Sequence, residues 1–278
     1  MIICVRTNTW RDAGSYAFGR LERNAEELER LKLQATVALS LEQEVWEQVG
    51  LRAGMQVLDL GCGPGFTSCE LARFVGSGTV TGLDISEELI AVAEQVKAVE
   101  KVENVSFRNG NIYNLDLPEN GFDFVYARFV FQHLKDPSLA LRNILRVLKP
   151  GGILCVLDID DNWIVFSPAS DAFLRFIRKA GAGQRRKGGN RQIGSALYGL
   201  MRRAGLVNVS ATIHPLTTAD LGVRMFLGVA VLFRLELLSK LQKLLMLPPL
   251  RRIKAAASDP HAWGAVGIFA VSGQKGPD

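Results

Sequence analysis

This 278-residue sequence is poor in the groups that build covalent or metal-clamped folds. It has four cysteines, Cys4, Cys62, Cys69 and Cys155, and three histidines, His133, His214 and His261. No two cysteines form a C-x-x-C pair, and none has ligand-like spacing with a histidine, so neither a zinc site nor a disulfide framework is indicated. Reduced thiols in a cytoplasmic protein are the expectation. Long apolar runs are missing too. The longest, Met225 to Phe233, is nine residues between Arg224 and Arg234, well short of the ~20 that span a bilayer. The N-terminal MIICVRTNTW lacks a basic stretch followed by an apolar run, so no signal peptide is expected.

Acid is missing from one region. From Ala172 to Ala219 there are nine lysines and arginines and no Asp or Glu, and Arg224 to Lys254 adds seven cations against Glu236 alone. The net charge of +5 therefore divides into −8 over residues 1–171 and +13 over residues 172–278. A solvated basic face would account for this. So would transient contact with an anionic membrane surface or an anionic hydrophobic substrate, where burial supplies affinity and cations supply attraction. Nucleic acid is the weaker candidate, because Arg185, Arg186 and Lys187 have no aromatic beside them to stack on a base.

What the chain does have is VLDLGCGPGF, Val57 to Phe66. An apolar strand runs into Asp59 and then into alternating glycines at Gly61, Gly63 and Gly65, where positive φ and close backbone approach cost little. Leu71, Ala72, Phe74 and Val75 give the next segment a helical face, with Thr67 and Glu70 in capping-box spacing. A second strand, TVTGLD, ends in Asp84, 19 residues beyond Gly65, close to the ~20-residue interval of a carboxylate that binds ribose hydroxyls. The dinucleotide pattern G-x-G-x-x-G would place a glycine at Phe66, which makes NAD the second choice of cofactor.

In chain order, an amphipathic helix is expected over Arg20–Val49, interrupted near Ser40. Ser86 caps a helix, and strands follow over Asn104–Arg108 and Gly121–Ala127. Asp136 and Pro137 start a further helix that stops at LKPGG, before a fifth strand at Ile153–Asp158. Beyond Asp160 the alternation loosens. The sequence predicts a helix around Phe173–Lys179, a mobile glycine-rich basic loop GAGQRRKGG, and a helix within GNRQIGSALYGLMRRAGL. VNVSATI reads as a strand, an apolar segment Leu221–Leu247 ends at Pro248-Pro249, and WGAVGIFAVSGQ is the closing strand. Strands alternating with helices imply a parallel sheet covered on both faces.

VLDLGCGPG, GLDIS, the GNI of Gly110 to Ile112, FDFVYAR and RVLKPGG, in this order from Val57 to Gly152, resemble the seven-stranded, Rossmann-like S-adenosylmethionine-dependent methyltransferases of small-molecule type. The resemblance implies an α/β fold, a doubly wound, mostly parallel seven-stranded sheet with helices on both faces, an N-terminal helical cap and a helical insertion before the last strands. It divides the chain into a cap (1–50), a cofactor-binding core (51–160), and substrate-side helices and closing strands (161–278). The last strand would lie antiparallel between the fifth and sixth.

For the site, the resemblance implies S-adenosyl-L-methionine as cofactor and a small-molecule acceptor, possible natural-product or lipid-like compounds included. Gly61, Gly63 and Gly65 would admit its methionyl and ribose parts, Asp59 would orient the loop, Asp84 would accept from the ribose hydroxyls, and Ile85 would pack on adenine. Asn111 stands where the family more often has an aspartate; its amide oxygen and the Ile112 N–H would read the adenine edge. Arg128 and Phe129 would approach the methionyl group, as would Tyr16 and Gln34 from the cap. His133 is the candidate general base, with a cofactor-shell role as the alternative. Phe166, Phe173, Phe176, Met225, Phe226 and Phe233 are candidate walls of an acceptor pocket. Asp158, Asp160, Asp161 and Asn162 cluster after the fifth strand without the further acid a hard-cation site would want, so no metal is expected. Two alternatives are a nucleic-acid-modifying methyltransferase and a cofactor-binding protein without methyl transfer.

Overall fold

A computed structural model describes Ser15, residues 24–168 and 171–245, Arg251, Ile253, Ala255, Ser258, Asp259 and residues 261–277. Seven strands, β1 (Gln56–Leu60), β2 (Thr79–Asp84), β3 (Val105–Asn109), β4 (Phe122–Arg128), β5 (Leu148–Ser167), β6 (Val207–Thr217) and β7 (Trp263–Gln274), form one sheet. Its order is β3-β2-β1-β4-β5-β7-β6. β1 to β5 pair in parallel, and β7 lies antiparallel between β5 and β6, as the resemblance implies. The strand order reverses between β1 and β4. The crevice at the carboxyl ends of those strands is where doubly wound sheets bind ligands.

Six longer helices cover the sheet: α1 (Asn24–Val49), α2 (Phe66–Val75), α3 (Glu87–Glu100), α4 (Pro137–Val147), α5 (Asp171–Arg186) and α6 (Gly194–Arg203). Alternation along β4 shows why its sequence is apolar throughout. Phe124 and Tyr126 pack with Val57, Leu71 and Trp46 on one face, while Val125 and Ala127 pack with Ile144 and Leu197 on the other. Two helix starts, those of α3 and α4, follow the expected caps. Ser86 Oγ accepts from the Leu89 N–H at 3.2 Å, and Asp136 Oδ1 accepts from the Leu139 N–H at 2.9 Å with Pro137 in the first turn.

The expected interruption of α1 near Ser40 does not occur. Ala38, Glu42, Val45 and Trp46 are buried at helical spacing on both sides of Ser40, so one packing face carries the helix through. Trp46 anchors it, edge-on to both Tyr126 and Phe74 at 5.7 Å between ring centroids. Two expectations beyond Asp160 are also corrected. β5 continues to Ser167, its register shifted by an irregularity between Ile159 and Ile164 before it pairs again with β7. The segment GAGQRR is no mobile loop but the last turns of α5. A Cβ on Gly183 would lie 2.2 Å from the Leu237 carbonyl oxygen, so this glycine permits a close approach inside a helix.

Between β6 and β7 the chain makes a run of short helical turns over residues 218–245. Phe166, Phe173, Phe176 and Phe226 are buried there in one cluster, with Phe166 stacked on Phe173 and Phe226 at 5.5 and 6.4 Å. Pro248 and Pro249 lie outside the described residues. No helix of the described residues is long and apolar enough to cross a membrane.

Candidate active site

The glycine loop after β1 opens the site. Gly61, Gly63 and Gly65 all have left-handed φ, at 67°, 55° and 78°, and the Gly61 and Cys62 N–H groups donate to the Leu83 carbonyl at 2.7 and 3.1 Å, pinning the loop to β2. The three glycines answer different demands. A Cβ on Gly61 would meet Val130 Cγ2 at 2.5 Å, and one on Gly65 would meet the Phe107 ring at 2.6 Å, whereas one on Gly63 would meet nothing within 4 Å. Gly61 and Gly63 line a cavity of about 550 Å³; Gly65 does not. It starts α2 without a side-chain cap, so the expected Thr67–Glu70 box is absent and Glu70 pairs with Arg73 instead.

Asp84 lies under this loop at the end of β2. Its Oδ2 accepts from the Gly63 N–H and its Oδ1 from the Ser86 N–H, both at 2.9 Å. Burial raises its pKa above the usual carboxylate range, and the backbone donors partly restore it. Ile85, Asn111 and Ile112 line the same wall. Asn111 Oδ1 already accepts from the Tyr113 N–H at 2.9 Å, which shapes the turn after β3.

On the opposite side, α1 is latched to β4 through an acid that sequence reasoning did not single out. Glu42, only 1% exposed, accepts from the Tyr126 hydroxyl at 2.7 Å and pairs with the Arg128 guanidinium. Arg128 also donates to the Gln34 carbonyl at 2.9 Å and lies 4.7 Å from the Phe129 ring centre. The Gln34 side chain donates to the Val229 carbonyl at 3.0 Å, tying α1 to the helical turns before β7. Arg128, Phe129 and Gln34 all line the cavity. Phe129 holds φ at 57°, a strained value for a non-glycine residue at a functional crevice. Asp59 is 2% exposed and accepts from Ser68 Oγ at 2.6 Å; burial pushes its pKa up to about 7. Tyr16 lies outside the described residues.

His133 follows β4 on a short 3-10 turn and also lines the cavity. Its Nδ1 is 2.8 Å from Ser15 Oγ and 3.3 Å from Gln184 Nε2. The Gln184 amide has one orientation that satisfies its partners. Its Nε2 donates to the Gln132 carbonyl at 2.9 Å, and its Oε1 accepts from Arg191 Nη1 at 3.3 Å. An amide donor therefore faces Nδ1, which makes Nδ1 an acceptor and places the proton of neutral His133 on Nε2. Desolvation, with Arg191 and Arg30 nearby, lowers its pKa to about 3.

The carboxylates expected after the fifth strand lie within the longer β5 and are committed to separate protein donors. Asp158 Oδ2 accepts from the Gln132 N–H at 3.0 Å, Asp160 Oδ2 accepts from Ser195 Oγ at 2.5 Å, and Asp161 takes Arg191 Nε at 2.9 Å and Arg234 Nη2 at 2.7 Å. Among the described residues no three His, Cys, Asp or Glu side chains gather as a metal site. Of the six candidate acceptor walls, Phe233 lines the cavity, Met225 is exposed, and the other four are core. The residues that sequence reasoning missed, Glu42, Gln132, Gln184, Arg191 and Arg234, are brought in by contacts between elements, and no local motif marks them.

Residues 51–184 match the family model described as a methyltransferase domain. An uncharacterized methyltransferase of Schizosaccharomyces pombe is 41% identical over 111 residues, which is 38% of this chain and 40% of that protein. A demethylmenaquinone methyltransferase of Staphylococcus aureus is 35% identical over 137 residues, 49% of this chain and 56% of that protein. The chain thus spans about half the length of these curated relatives. Among solved structures, a SAM-dependent methyltransferase from Aquifex aeolicus is 25% identical, with a TM-score of 0.50 over 65% of this chain and 89% of that one. The glycine loop, the strand order and the matched segment agree: residues 51–184 match a methyltransferase domain, on a sheet similar to that of the SAM-dependent methyltransferase from Aquifex aeolicus.

Proposed function

We propose that this protein transfers a methyl group from S-adenosyl-L-methionine to a small-molecule acceptor held in the same cavity. The observation that carries the cofactor half is Gly63. Its missing side chain leaves open space over the loop, while its N–H is fixed by Asp84. A backbone cradle beside a buried carboxylate suits a ribose with two hydroxyls, and Ile85, Leu89 and Ile112 supply an apolar slot beside it for a base.

When bound, the cofactor supplies an electrophilic methyl on a sulfonium, so the protein's task is chiefly alignment. Asp84 would hold the ribose hydroxyls and Gly61 and Gly63 the adjoining backbone side. Arg128 serves as the latch between α1 and β4, and Gln34 ties α1 to the Val229 turn, which together hold α1 along one wall of the cavity. His133, neutral and a weak base, positions the acceptor side of the site through its bonded ring nitrogen. A small acceptor is further supported by the Staphylococcus aureus relative, whose name gives demethylmenaquinone as its substrate.

A screen of small apolar acceptors with a methyl-labelled donor tests this reading. Label should pass to at least one acceptor and be abolished by Gly63→Val. Tight binding of S-adenosylhomocysteine with no transfer to any acceptor would favour cofactor binding without methyl transfer.

A further inference from the structure

The end of the cavity around Phe233 is unlike the cofactor end. Three guanidinium carbons converge on the Phe233 ring, those of Arg30, Arg234 and Arg191, at 4.6, 5.1 and 5.4 Å from its centre. All three arginines line the cavity, and so does Lys187. Among the described residues two acids answer them. Glu27 takes Arg30 through a two-pronged pair, and Asp161 is shared by Arg191 and Arg234. Among the described residues the local balance is thus four cations to two carboxylates.

Arg234 is the least satisfied of these groups. It is 1% exposed, and after its single bond to Asp161 its Nε and Nη1 have no hydrogen-bond partner among the described residues. Burial of guanidinium donors without partners is rare unless something else supplies acceptors. Burial together with the nearby charge of Arg191 pushes the Arg234 pKa down to about 10, which still leaves it protonated at neutral pH. Arg191 is held in place differently: its Nη1 donates to the Gln132 and Gln184 side-chain oxygens, on the network that reaches His133. Leu31, Val229 and Leu237 form the adjoining apolar wall.

Building on the methyltransferase reading, we infer that this end of the cavity recognises an acceptor carrying an anionic group, a carboxylate or a phosphate, on an apolar body. A planar guanidinium fork suits the oxygens of either anion, and the burial of Arg234 strengthens that pairing relative to one with an uncharged counterpart. Arg234 is the specificity-determining residue, because it lines this end of the cavity with two donors that no described residue accepts. Part of the basic surplus in the second half of the sequence is therefore turned inward, toward a ligand.

Calorimetry on the full chain with octanoate and with octanamide, its uncharged counterpart, separates the possibilities. Each titration is run with and without saturating S-adenosylhomocysteine. The wild type should bind octanoate at least tenfold more tightly than octanamide, and Arg234→Met should bring the two within about twofold while S-adenosylhomocysteine affinity stays unchanged. Arg234→Lys should keep part of the preference. Equal affinities for octanoate and octanamide in the wild type, or binding of neither, would overturn the inference without need of any variant. So would an Arg234→Met protein that loses S-adenosylhomocysteine affinity yet keeps the octanoate preference, since the guanidinium would then serve the cofactor. Failure of S-adenosylhomocysteine to bind the wild type counts against the methyltransferase reading alone, because the octanoate preference is measured without it as well.

Discussion

Replacing Glu42 by Gln should separate the cap from the sheet more than any other isosteric change. Glutamine keeps the size of the side chain and an oxygen for the Tyr126 hydroxyl, so the perturbation is the loss of the charge opposite Arg128. Breaking a buried pair by removing one partner costs about 3–5 kcal/mol. The Arg128 side chain is 11% exposed and retains its bond to the Gln34 carbonyl, so the lower end, about 3 kcal/mol, applies. In the double variant Glu42→Gln/Arg128→Met neither charge is buried, and the total cost should fall below that of Glu42→Gln alone, because the second change removes an unpaired cation. Urea unfolding of the wild type, both singles and the double gives all four corners of the cycle. S-adenosylhomocysteine affinity should fall with Glu42→Gln, since α1 carries Leu31, Gln34 and Ala38 of the cavity wall. A single-variant loss under about 1 kcal/mol, the size of an exposed pair, or strict additivity in the double, would refute the latch.

Asp84→Ala removes the carboxylate that fixes the Gly63 and Ser86 N–H groups and that is proposed to accept from the ribose hydroxyls; at about 1.5–3 kcal/mol for each charge-assisted bond lost to the ligand, S-adenosylhomocysteine affinity by calorimetry should drop tenfold or more, and an unchanged value would remove Asp84 from the site. The folded pKa of Asp59, about 7, lies above its ordinary 3.8, so its contribution to stability is complete below the lower value and is lost as pH rises through the higher one. Asp59→Asn should therefore match the wild type near pH 4 and exceed it near pH 8 by up to about 4 kcal/mol in urea unfolding; a pH-independent difference would show that Asp59 is not buried as a neutral acid. His133, with its pKa lowered to about 3, should keep one neutral, Nε2-protonated form by nitrogen NMR down to about pH 5, and an ordinary titration near 6.5 would contradict the network around Gln184. Gly183→Ala should destabilise the fold by about 1–3 kcal/mol through overpacking against Leu237, which thermal unfolding would register; a neutral or stabilising result would refute the close approach.

The parts of the site that the sequence displays are those made by single segments. Gly61, Gly63, Asp84 and Ile85 sit at strand ends, where a buried apolar run must stop and turn, and the same rule makes the five parallel strands readable in order. Asn111 shows the limit of such reading, because its oxygen is already engaged by the Tyr113 backbone. Glu42 looked like one more acid on an amphipathic helix. Its burial follows from the meeting of α1 with β4, a distance of 86 residues in sequence from Arg128. The glycines at 181 and 183 suggested a loop, because sequence alone does not tell a glycine that bends the chain from one that lets another backbone approach. Arg191 and Arg234 were visible as part of a basic region, but only the fold turns them toward Asp161 and the cavity.

The most direct test of the central claim is calorimetric titration of the wild-type chain with S-adenosylhomocysteine and, separately, with NAD. The glycine loop and Asp84 predict one-to-one binding of S-adenosylhomocysteine, lost in Gly63→Val, and no comparable heat from NAD. Preferential binding of NAD, or S-adenosylhomocysteine binding that survives Gly63→Val unchanged, would contradict it.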